Sequence, residues 1–98
     1  MSNKKTYFVY ILLCADGSYY TGMTSNIEKR LAEHQSKKDP SSYTARRLPV
    51  SLEFFCEFSD PYVAMNTERQ IKKWSKQKKV ALIENRFEDL PNLAKKNF

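Results

Sequence analysis

The apolar positions of this chain fall into a few runs with clear periods. Residues 6–14 (TYFVYILLC) and 18–24 (SYYTGMT) are β-branched, aromatic and apolar almost throughout, with Asp16-Gly17 between them, which predicts two antiparallel strands joined by a hairpin. Loop length decides where the tyrosines point. A two-residue loop would pair Ala15 with Ser18 and send Tyr10 and Tyr20 to opposite faces, whereas a three-residue loop, Asp16 to Ser18, pairs Cys14 with Tyr20 and puts both hydroxyls on one face. The three-residue loop is expected, with the two tyrosines about four residues, or roughly 13 Å, apart along the strands.

Ser25 and Glu28 form a capping-box pattern ahead of a helix of about three turns. On that helix Ile27, Leu31 and His34 share one side, and Arg30 lies at its border. Ser36 to Pro49 is polar, holds two prolines and keeps no period, so it reads as a loop whose Arg46 and Arg47 stay solvated until an anion arrives. In VSLEFFCEF, Val50, Leu52, Phe54, Cys56 and Phe58 alternate with polar positions and predict a third strand with its apolar residues on one face. Asp60 and Pro61 then cap a second helix with Val63, Ala64, Thr67, Ile71 and Trp74 as its inward stripe, running to about Lys76. A third helix is expected over 77–85. The order ββαβαα predicts an α+β fold: a single small domain, 6–86, with a three-stranded antiparallel sheet, flanking helices, and tails at 1–5 and 87–98.

Composition narrows the chemistry. Ninety-eight residues suffice for one core and not for two independent ones, and a net charge of +6 favours an anionic partner such as nucleic acid. Cys14 and Cys56 are isolated and His34 is the single histidine, so a zinc site is not expected and reduced thiols in a cytoplasmic protein are. The segment MSNKKTYFVYILLCA superficially resembles a signal peptide. Its tyrosines dilute the apolar run, the hairpin after it needs it, and it is too short to span a bilayer, so no membrane association is expected.

Glu68 stands at the rim of the buried stripe of the second helix, where a partly desolvated carboxylate can face Mg²⁺ together with waters and a phosphate. Taken alone, a salt bridge to Lys72 one turn on is the better account. Likewise Tyr10 alone is an ordinary strand residue, and His34 on an apolar face is more often a satisfied core histidine than a catalyst. The run RQIKKWSKQKK supplies Arg69, Lys72, Lys73 and Lys76, which with Arg46 and Arg47 are candidates to track a phosphate backbone. No recognition-helix or zinc-finger motif supports sequence-specific readout.

Assembled, Tyr10 in VYI, Tyr20 in YTG, Arg30, His34 and Glu68 resemble the GIY-YIG nuclease domain, shared by an excision-repair endonuclease and certain intron homing endonucleases. YTARRLPV followed by ERQIKKWSKQKKVALIE is similar to its small stand-alone bacterial members, a group largely without assigned function. The resemblance covers roughly Tyr7 to Glu84. It implies that Tyr10 belongs to the first motif, with Phe8-Val9 in place of Gly-Ile, and that Tyr20 and Gly22 belong to the second, with Thr21 for Ile. Arg30 matches the helix arginine, His34 a histidine one turn later, Glu68 the metal-binding glutamate and Asn85 a late asparagine. Met23 stands where repair-type members often carry lysine. The resemblance further implies a structure-selective endonuclease using one Mg²⁺ or Mn²⁺, with Glu68 holding the metal, Arg30 on a phosphoryl oxygen and Tyr20 or Tyr10 orienting the attacking water. His34 would be either a phosphate hydrogen-bond donor or a second proton acceptor. DNA is favoured over RNA. The alternative is a non-catalytic nucleic-acid-binding module, or one active only when a protein partner supplies the target.

Overall fold

The computed structural model describes residues 5–36 and 41–84. Along the chain come β1 (Tyr7–Cys14), β2 (Tyr19–Thr24), α1 (Ile27–Gln35), a 3₁₀ turn (Tyr43–Arg46), β3 (Val50–Phe58), α2 (Pro61–Lys72) and α3 (Lys76–Ile83). The strands form one antiparallel sheet in the order β2-β1-β3, so the expected α+β class and ββαβαα order hold. The expected boundary at residue 86 and both tails fall largely outside the described residues.

The hairpin loop has the expected length but begins one residue early. Cys14 N–H donates to Ser18 O at 2.8 Å and Gly17 N–H donates to Cys14 O at 2.9 Å, which leaves Ala15, Asp16 and Gly17 as the loop. Gly17, at φ 85°, takes the left-handed position that closes such a turn. Asp16 Oδ1 accepts from the Ser18 N–H at 3.0 Å and from its hydroxyl at 2.6 Å, so Ser18 is held as a partner of Cys14 rather than as a loop residue. Tyr10 therefore lies opposite Gly22, and Tyr20 opposite Leu12. The offset between the two tyrosines shrinks to two residues, and they keep the common face.

The third strand corrects the alternation argument. Phe54 sits opposite Ile11 but Leu52 sits opposite Leu12, so Glu53 is the extra residue of a β-bulge. Because Ile11 and Leu12 point to opposite faces, Leu52 and Phe54 do too. Val50 and Leu52 join Tyr10, Leu12 and Cys14 in one core, packed against Ile27, Leu31 and Leu48. Phe54, Cys56 and Phe58 join Val9 and Ile11 in the other, against Ala64, Ile71, Ala81 and Leu82. The sheet is thus covered on both faces, by α1 and the 3₁₀ turn on one side and by α2 and α3 on the other.

Helix ends also shift. Asn26, not Ser25, caps α1, its side chain accepting from Lys29 N–H at 3.0 Å. The Thr24 hydroxyl accepts from Asn26 N–H at 3.1 Å and so delays the entry into the helix by one residue. Asp60 caps α2 with Pro61 first, as expected. That helix ends at Lys72 rather than near Lys76, because Ser75 caps a new helix at Lys76 by accepting from Lys78 N–H. Val63 is exposed, whereas Ala64, Thr67 and Ile71 are buried and Trp74 packs on their core. The segment read as a plain loop contains the 3₁₀ turn, with Thr44 and Ala45 buried. No helix among the described residues is long and apolar enough to cross a membrane.

Candidate active site

The even positions of β1 face α1, and Tyr10 is the one whose side chain ends in a hydroxyl. Its ring lies across β2 where Gly22 has no side chain: a Cβ there would fall on the Tyr10 hydroxyl, 2.6 Å from its Cζ and 3.0 Å from a Tyr20 ring carbon. The glycine is required by close approach of two tyrosines, not by an unusual backbone.

Around the Tyr10 hydroxyl three groups meet. His34 Nε2 is 3.0 Å away, and the other ring nitrogen, Nδ1, is 2.7 Å from Thr44 Oγ1. Arg30, one turn before His34 on α1, brings its guanidinium charge beside the Tyr10 phenol. Tyr20 packs edge-on against His34 with centroids 5.2 Å apart, 6.3 Å from Tyr10, and its far side meets Tyr43 at 5.9 Å. Tyr10, Tyr20, Arg30 and His34 are therefore one contiguous cluster.

Burial sets the protonation states. It pushes the Tyr10 phenol up to about 12, with the charges of Tyr20 and Glu68 adding to the rise and Arg30 opposing it. His34 is pulled below its ordinary value, by burial first and then by Arg30, with Glu33 working the other way. Both groups are held neutral at pH 7. Burial works against the charge on Arg30, but the neighbouring oxygens of Tyr10 and Glu33 more than offset it, so the guanidinium stays protonated. Its NH1 also lies 3.0 Å from Glu33 Oε1.

Glu68 approaches from the other layer. α2 packs over β1 and β2, and the charge of Glu68 is the weakest of the influences on the Tyr10 phenol. Its side chain is 17 % exposed and holds Lys72 Nζ at 3.1 Å. Among the described residues no three His, Cys, Asp or Glu side chains group as a closed metal site. Beside Arg30, at the start of α1, a polar cleft of about 340 Å³ is lined by Thr24, Ser25, Asn26, Lys29, Arg30 and Glu33.

The remaining candidates scatter. Arg47 is not solvated as expected: its Nε lies 3.0 Å from Asp16 Oδ2, NH1 donates to Tyr43 O at 2.7 Å, and the guanidinium stacks 3.9 Å over the Tyr43 ring. It ties the 3₁₀ turn to the hairpin, because Asp16 projects from the loop toward it. Arg46 beside it is exposed. Arg69, Lys72 and Lys73 are exposed on α2 and its C-cap, and Lys76 opens α3 with Nζ 5.9 Å from the Tyr19 ring, so these cations belong to the layer opposite α1. Asn85 lies outside the described residues. Two participants were missed in the sequence. Thr44 sits in a stretch without period and carries no local signal, whereas Lys29, a second cation beside Arg30 in the same helix, could have been found.

Comparison with known proteins gives a consistent picture. Residues 6–81 match the GIY-YIG catalytic domain. The UPF0213 protein of Lacticaseibacillus paracasei is 41% identical over 81 residues, covering 83% of this chain and 90% of its own. That of the archaeon Natronomonas pharaonis is 42% identical over 77 residues, covering 79% and 89%. The solution NMR structure of the UPF0213 protein of Bacillus halodurans superposes with a TM-score of 0.54 at 35% identity, covering 94% of this chain and 97% of that one.

Proposed function

This chain belongs to the GIY-YIG family, and from that premise we propose that it is a divalent-metal-dependent endonuclease that hydrolyses nucleic-acid phosphodiester bonds, selecting shape rather than sequence. The observation that carries the reading is the meeting of Tyr10, Tyr20 and His34 in one cluster, with Arg30 one turn before His34 on α1 and Glu68 on the helix packed over β1 and β2. Binding alone needs no carboxylate beside an anionic ligand.

The residues fit one hard cation. A single, largely desolvated carboxylate suits Mg²⁺ or Mn²⁺, which complete their shells with water and substrate phosphate and do not require a protein cage. Held by Glu68, such an ion would supply Lewis-acid stabilisation of the leaving oxygen. Lys72 now occupies that carboxylate and must yield or shift. Arg30, which lines the cleft, offers a permanent charge to a non-bridging oxygen, and the cleft gives the flanking chain room beside it. Tyr20, half-buried where Tyr10 is sealed, is the better placed of the two to meet solvent and orient the attacking water. DNA is the first substrate class to test.

A partner-dependent binding module is the second reading, favoured by one observation: in the free protein Arg30 and Glu68 are both engaged by neighbours, Glu33 and Lys72. Incubation with single-stranded, branched and duplex DNA, with Mg²⁺ or Mn²⁺, separates the two. Cleavage is expected, reduced about a hundredfold or more in Glu68→Ala and Arg30→Ala with folding intact. Equal cleavage by wild type and variants would sink the assignment, and salt-dependent binding without cleavage would establish the module.

A further inference from the structure

We propose that Tyr10, His34 and Thr44 form a one-way hydrogen-bond chain beside the Arg30 guanidinium, and that Thr44 is the positioning residue that ends it, keeping the His34 proton on Nδ1 so that Nε2 takes the proton of Tyr10. Its catalytic consequence rests on the nuclease reading, but the direction of the chain does not.

Direction comes from donor counting. The Arg30 guanidinium beside Tyr10 has donors and no acceptor, so it cannot take the Tyr10 proton. Tyr10 has one proton of its own and is 2 % exposed, so that proton needs an acceptor within the protein. His34 Nε2 stands 3.0 Å from it. An Nε2 that accepts leaves a neutral imidazole with its proton on Nδ1, and Nδ1 lies 2.7 Å from the Thr44 hydroxyl, on a residue with 0 % exposure. The reverse order, Thr44 donating to Nδ1 and Nε2 to Tyr10, would strand the Tyr10 proton beside a guanidinium that cannot accept it, so Thr44 Oγ1 accepts from Nδ1 and turns its own proton out of the chain. Each donor in such a chain polarises the next, so the set is stronger together than as separate pairs.

The arrangement gives Tyr10 a way to act without ionising. As the attacking water, oriented by Tyr20 and brought by the bound substrate against the nearly sealed Tyr10 hydroxyl, breaks an O–H bond and passes that proton to the Tyr10 oxygen, Tyr10 breaks its own O–H bond and passes the original proton to Nε2. The electron pair left on the water oxygen forms the new bond to phosphorus while the leaving oxygen departs with its own pair. Thr44 holds the imidazole in the tautomer that can receive.

His34 is the single histidine of the chain, so ring ¹⁵N NMR of tag-free protein reports this site alone. A protonated Nδ1 and a bare Nε2 are expected near pH 8, preserved in Thr44→Ser and lost toward the other tautomer in Thr44→Val. Should Thr44→Val fail to fold, Tyr10→Phe removes the donor to Nε2 and is expected to erase the preference too. A wild type protonated on Nε2, or a tautomer indifferent to both variants, overturns the proposal. In the cleavage assay Thr44→Val is expected to lose roughly ten- to a hundredfold, as removal of orienting partners typically does, with Thr44→Ser restoring it. The expected tautomer in a protein that cleaves nothing would uphold the chain and remove the nuclease reading, and cleavage with the opposite tautomer would do the reverse.

Discussion

The two faces of the sheet are built by the same strand and differ in what they bury. Val9 and Ile11 of β1 meet Ala64, Ile71 and Leu82 in a mainly apolar layer that also buries Thr21 and Thr67, whereas Tyr10 and its neighbours meet His34, Thr44 and Arg30. The first face contributes stability by excluding water. The second spends burial on polar groups that must all be satisfied, and so holds two titratable side chains neutral next to a fixed charge. A domain this small can carry such a site because its other core is simple.

That division can be broken from either side. Ile71→Ala, on the dry face, is expected to cost about 2 to 5 kcal/mol in urea unfolding while leaving the His34 tautomer unchanged. A tautomer change there would show that the faces are not independent. Gly22→Ala, on the wet face, should cost about 1 to 3 kcal/mol, since the new methyl group must displace Tyr10, and should also disrupt the His34 signal. A silent Gly22→Ala would mean that the tyrosines can move apart freely.

Smaller effects sharpen the contrast. Thr21 points to the dry face, where its buried hydroxyl has no partner among the described residues. Thr21→Val should therefore raise stability by about 1 kcal/mol, and a loss instead would reveal an unseen partner for the hydroxyl. The wet face should show its own pH dependence. His34 is depressed in the folded protein, so below about pH 6.5 the unfolded chain takes up its proton first, and stability falls as pH drops toward the folded value. Tyr10 is raised to about 12, so between about pH 10 and 12 the unfolded chain loses its proton first and stability falls as pH climbs. Each slope stays below about 1.4 kcal/mol per pH unit, the limit for one proton, and each should vanish in His34→Gln and Tyr10→Phe respectively.

Much of the fold was legible from local signals. The bounds of β3, the Asp60-Pro61 start of α2 and the order of elements follow from periodicity and caps, which act within a few residues. The candidate site was legible as a set of residue types through resemblance, but not as a geometry. The acceptor for its histidine, Thr44, lies ten residues from His34 in a segment whose polarity gave no reason to bury it. Arg47 looked free because its partner, Asp16, is 31 positions away.

By itself the sequence determined which stretches are strand and helix, that Tyr10 and Tyr20 share a face, and that a basic single domain carries one histidine and one rim carboxylate. Tertiary structure decided the rest: the Glu53 bulge that divides β3 between two cores, the hairpin closing at Ala15 that brings the tyrosines within two residues, and the hydrogen bonds that join Tyr10 to Thr44 through His34. The reason is range. Propensity and period are set by neighbours along the chain, whereas a register, a bulge and a buried hydrogen bond are set by whichever partner across the sheet leaves no polar group unpaired and no space unfilled.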